Sequence, residues 1–68
     1  MAGGGDHREV LFEFVRLGGQ MRVSAIDPET GIEVVIIAPL TASRQQMQQV
    51  AIAKLKRRLA NSGQGPAV

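Results

Sequence analysis

The sequence has no cysteine, no tryptophan, no tyrosine, two phenylalanines and one histidine in 68 residues. Without cysteine there is no disulfide framework, zinc finger, iron–sulfur site or thiol nucleophile, and a reducing compartment such as a bacterial cytoplasm is the natural setting. The lack of tyrosine and tryptophan leaves little to stack on nucleic-acid bases. No apolar run approaches the roughly 20 residues that span a bilayer. Residues 1–7 are too polar for a signal peptide, so a cytoplasmic protein with no membrane contact is expected. The length excludes a two-domain enzyme with an interdomain cleft. What is present, 44% apolar and 21% charged residues, is the composition of an ordinary folded domain.

The formal net charge is only +2, but it is unevenly spread. Asp6, Glu9, Glu13, Asp27, Glu29 and Glu33 all lie in residues 1–33, with Arg8, Arg16 and Arg22. Residues 34–68 contain Arg44, Lys54, Lys56, Arg57 and Arg58 and no acid. Such a division marks either a polyanion-binding face or a helix whose C-terminal cations complement its dipole. The helix reading is the simpler one.

Residues 1–7 form a Gly-rich polar lead with nothing to bury, expected to be disordered, and 62–68 a disordered tail. Between them, 8–61 reads as one domain. Aromatic and β-branched residues over 8–17 and 20–26 predict two strands, and Gly18 and Gly19 form a two-residue hairpin between them. Residues 27–31 (DPETG) form the next turn. Pro28 presets φ, Asp27 bonds forward to the backbone, and Gly31 supplies a left-handed exit. The third strand, 32–38, is the most β-branched stretch, and Pro39 ends it. Ser43 and Gln46 have capping-box spacing. After them Met47, Ala51, Leu55 and Leu59 recur every four residues with Ile52 alongside, one face of a helix that Asn61 and Gly63 terminate. The fold class is α+β: a three-stranded antiparallel meander in order 1-2-3, followed by one helix on one face.

Turn lengths fix the register. A two-residue hairpin sets Leu17 opposite Gln20, hence Phe14 opposite Val23 and Phe12 opposite Ala25. A four-residue loop over 28–31 sets Ala25 opposite Val34 and Val23 opposite Ile36. The two hairpins agree on one apolar face of Val10, Phe12, Phe14, Met21, Val23, Ala25, Val34, Ile36 and Ala38, broken only by Arg16. This face is the partner for the helical stripe, giving a two-layer sandwich. A core this small is marginal alone and gains from dimerisation or a partner. The opposite face carries Leu11, Val15, Arg22, Ile26, Val35 and Ile37, together with Glu13, Leu17, Gln20, Ser24 and Glu33. Its aliphatic content makes it the candidate protein interface.

The inventory for chemistry is thin, and the expectation is a protein that is not an enzyme, with no catalytic residue, cofactor, metal or small-molecule ligand. His7 lies in the lead, and its neighbours Asp6 and Glu9 have generic spacing for a metal. Ser24 has no paired histidine, and Ser43 serves as a cap. Neither Gly3–Gly5 nor the hairpin glycines stand between a strand and a helix, as a phosphate-binding loop requires. The competing function is nucleic-acid binding, with Arg16 and Arg22 on the sheet and Lys54, Lys56, Arg57 and Arg58 on phosphates. Glu13 and Glu33 on the same sheet weigh against it.

The EVLFEFVR run at 9–16, followed by the DPETG turn, resembles a family of short bacterial proteins classed as a domain of unknown function. The resemblance covers roughly residues 8–60 and implies a stand-alone cytoplasmic bacterial protein, with no activity or site residues to carry over. The expected function is therefore that of a small binding module. It works by self-association, as a homodimer, or by contact with another protein through the second sheet face.

Overall fold

Gly18 adopts a φ of 62° whereas Gly19 does not enter the left-handed region. This is the pattern of a type II′ hairpin, which places glycine first and matches the twist of the strands it joins. In the computed structural model, which describes residues 9–64 and their side chains as far as 61, this turn links β1 (Leu11–Leu17) to β2 (Gln20–Ile26). A second turn leads to β3 (Glu33–Pro39), and the antiparallel sheet has the order β1-β2-β3. The expected register is present throughout: Leu17 opposite Gln20, Phe14 opposite Val23, Ala25 opposite Val34 and Val23 opposite Ile36.

The DPETG turn is built around a buried carboxylate. Asp27 is fully buried, and its Oδ2 accepts a hydrogen bond from Thr30 Oγ1 at 2.8 Å. Its Oδ1 lies 3.4 Å from the donating Glu29 amide. The Gly31 amide donates to the Asp27 carbonyl at 2.8 Å, from a φ of 78° that favours glycine. Finally the Asp27 amide donates to the Ile32 carbonyl at 2.9 Å. The carboxylate therefore holds the loop from inside, which offsets the cost of removing its charge from water.

Helix α1 (Arg44–Gln64) starts at a capping box. The Gln46 amide donates to Ser43 Oγ and the Ser43 amide to Gln46 Oε1, both at 3.0 Å. Two amides at the helix start that would otherwise lack partners are thereby satisfied. At the other end the helix runs past Asn61, and residues 62–64 are helical where a tail was expected. Gly63 costs a helix only about 1 kcal/mol relative to alanine and cannot by itself stop one. The extension alters the role of the cations. The last turn contains no basic residue, so Arg57 and Arg58 lie too far inside to complement the dipole.

The core forms where α1 crosses β2 and β3. Val23, Ala25, Val34, Ala38, Met47, Ala51 and Leu55 are buried, with Val10, Phe12, Phe14, Met21, Ile36 and Leu59 packed around them. Ile32 and Ala42, from the two connections, join this rim. Ile52 is only half-buried and lies at the margin of the stripe. Because the helix sits over β2 and β3, the two phenylalanines of β1 occupy the edge of the core, their centroids 6.2 Å apart. The Arg44 guanidinium lies 4.2 Å from the centroid of the Phe14 ring. A cation in the first helical turn is unfavourable to the dipole, and this contact with the ring face offsets the penalty.

Candidate functional site

Strand alternation sorts the side chains into two faces. On the face opposite α1, adjacent side chains form rows across the sheet: Leu11–Ile26–Glu33, Glu13–Ser24–Val35, Val15–Arg22–Ile37 and Leu17–Gln20–Pro39. All six candidate interface residues, Leu11, Val15, Arg22, Ile26, Val35 and Ile37, are brought together here. The outer strands carry most of the aliphatic groups, and the middle strand contributes Gln20, Arg22 and Ser24 as a polar spine. Six large hydrophobic residues are exposed among the described residues, and Leu11, Val15, Leu17 and Ile37 of this face are four of them. Ile37 is the most open of these four, at 54%. Ile26 and Val35 are half-buried by their neighbours, and Ser24 is buried between Glu13 and Val35.

The basic residues are not brought together. Arg16 pairs with Met21 and Arg22 with Val15, so the two arginines project from opposite faces. The Arg16 Nε donates to the Gly18 carbonyl at 3.4 Å, beside the hairpin. Lys54 Nζ donates to the Val35 carbonyl at 2.8 Å. Lys56, Arg57 and Arg58 are exposed, and Arg57 is about 20 Å along the helix axis from Arg44. The six cations named for nucleic acid are therefore divided between the two sides of the sheet, with Arg22 on the face opposite α1.

Of the generic metal candidates, Asp6 and His7 lie outside the described residues, and Glu9 is exposed. Among the described residues no group of three or more His, Cys, Asp or Glu side chains could hold a metal ion. No helix among them is long and apolar enough to cross a membrane. A family model covers residues 7–62, and its description is a domain of unknown function (DUF6898).

The chain belongs to this family. The match takes in every strand and nearly the whole of α1, so the fold described above is that of a DUF6898 domain. No curated protein and no solved structure matches the chain.

One surface feature has only a faint signal in the sequence. A groove of about 370 Å³ opens where the end of β3 meets the first turns of α1, lined by Ile37, Pro39, Ala42, Gln46, Met47 and Val50 among others. Val50 is 56% exposed. Its signal was an aliphatic residue standing off the helical stripe, but the groove itself depends on the angle of the helix on the sheet.

Proposed function

We propose that this DUF6898 domain is a non-enzymatic binding module whose uncovered sheet face seats the apolar surface of another folded protein chain, a second copy included. The observation that supports this reading most directly is the gathering of Leu11, Val15, Leu17 and Ile37, all exposed, on one face of one sheet. Aliphatic surface of this kind on a small domain marks an interaction site. The polar spine of Gln20, Arg22 and Ser24 would fix the orientation of the partner. Polyanion binding is the weaker alternative, because its cations are divided between the two sides of the sheet. The cysteine-free composition favours a cytoplasmic setting.

Salt separates the two readings. Sedimentation of the purified chain at low and high ionic strength should show association that persists or tightens with salt, and the part of it carried by this face should be lost in Ile37→Glu. A monomer at high protein concentration in both conditions would count against self-association through this face. Duplex DNA titration should give no binding above background, whereas binding that falls steeply with salt would favour the polyanion reading.

A further inference from the structure

The two edges of the sheet differ in what obstructs them. The Asp27–Ile32 hydrogen bond fixes the phase of the β2–β3 ladder. Because bonded and non-bonded pairs alternate in antiparallel sheets, Ala25–Val34, Val23–Ile36 and Met21–Ala38 exchange the bonds, and the backbones of Glu33, Val35 and Ile37 face the free edge. By the same alternation β2 bonds to β1 through Leu11, Glu13, Val15 and Leu17. The amides and carbonyls of Phe12, Phe14 and Arg16 therefore point away from the sheet. On β3, Lys54 occupies the Val35 carbonyl, and Pro39 has no amide hydrogen to offer. Among the described residues no such device protects β1. It has no proline, lysine or register break from Leu11 to Leu17, and α1 lies over its neighbours. An open edge of this kind is a template for a further strand.

We propose that the further strand is β1 of a second copy, antiparallel, with Leu11 opposite the second copy's Leu17 and Phe14 opposite its own counterpart on a twofold axis. Two three-stranded sheets thereby become one six-stranded sheet. The sequence of β1 selects this register, which pairs all seven of its residues. It brings the half-buried Phe14 rings together and sets Arg16 across from the second copy's Phe12, a cation beside a ring. It also covers Leu11 and Leu17, which are 45% and 49% exposed. Moving one pairing step in one direction puts Glu13 opposite its own counterpart, like charges face to face. Moving one step in the other direction leaves Phe12 and Leu11 opposite the glycines of the hairpin. The contact is isologous, as a closed dimer requires. It uses the strand edge and does not depend on the reading of the sheet face.

The absence of cysteine makes the register directly testable. Leu11 and the second copy's Leu17 form a non-hydrogen-bonded pair with Cα atoms about 4.5 Å apart, within disulfide reach. Leu11 and its own counterpart are about 20 Å apart. Mixing Leu11→Cys and Leu17→Cys proteins under mild oxidation should give a covalent dimer on non-reducing gels, and neither variant alone should do so. Both positions are exposed, so neither change threatens the fold. Separately, Arg16→Pro removes an amide that the sheet does not use and should weaken dimerisation at least about tenfold. Ile37→Glu, on the far strand, should leave this dimer intact. A chain that is monomeric at all concentrations would overturn the proposal, as would crosslinking of Leu11→Cys with itself. Loss of the dimer in Ile37→Glu with no mixed crosslink would place the contact on the sheet face instead.

Discussion

Lys54 reaches from α1 to the outer edge of β3, where its ammonium donates to the Val35 carbonyl at 2.8 Å. Nineteen residues separate the two in the chain. A single long side chain thus links the helix to the sheet margin and closes one acceptor on an otherwise open edge.

Because the acceptor is a neutral carbonyl and the ammonium is exposed, Lys54→Met should cost at most about 1 kcal/mol in urea unfolding. The cost should be similar at low and high salt, unlike that of an exposed ion pair. A strong salt dependence of the difference would mean that Lys54 acts through a carboxylate.

The hairpin glycines should separate cleanly. A Cβ at either position meets nothing within 4 Å, so backbone conformation alone decides the outcome. Gly18→Ala places an L-residue at φ 62° and should lose about 1–2 kcal/mol. Gly19→Ala should be neutral or slightly stabilising. Thermal unfolding of the two variants side by side measures this, and equal losses would argue against the type II′ turn.

Ser43→Ala removes the hydroxyl that caps the Gln46 amide and should cost about 0.5–2 kcal/mol. Ser43→Asp should retain the cap, with a carboxylate favourably placed at the positive end of the helix. Denaturant midpoints followed by circular dichroism distinguish the two.

Leu55 is 1% exposed at the centre of the core. Leu55→Ala should cost about 2–5 kcal/mol, a large share of the stability of so small a domain, and should leave much of the chain unfolded at 37 °C. Val50→Ala, on the exposed side of the same helix, should change stability by less than about 0.5 kcal/mol.

The strands were legible because two independent turns demand the same register, and a slip of one residue in either would have mixed polar groups into the face of Phe12, Val23 and Val34. The uncovered face followed from the same alternation. The resting place of the helix was not legible. Its stripe says which residues point inward, but its lateral position on the sheet depends on packing between residues far apart in sequence. That position leaves Phe14 at the margin, brings Arg44 onto its ring and opens the groove beside Val50. Asn61 and Gly63 read as stop signals, yet α1 runs on to Gln64, because one glycine is only a modest penalty. The target of Lys54 is a backbone oxygen, to which sequence patterns give no clue.

Strand order in the sheet is the same as strand order along the chain. During synthesis each hairpin can therefore close as soon as it is made, without waiting for a distant segment. Val23 and Ala25 have no lid, however, until α1 has left the ribosome. A nascent chain stalled before Met47 would display the whole oily underside of its meander to chaperones and neighbours alike, which makes the helix the step that ends the hazard of translation.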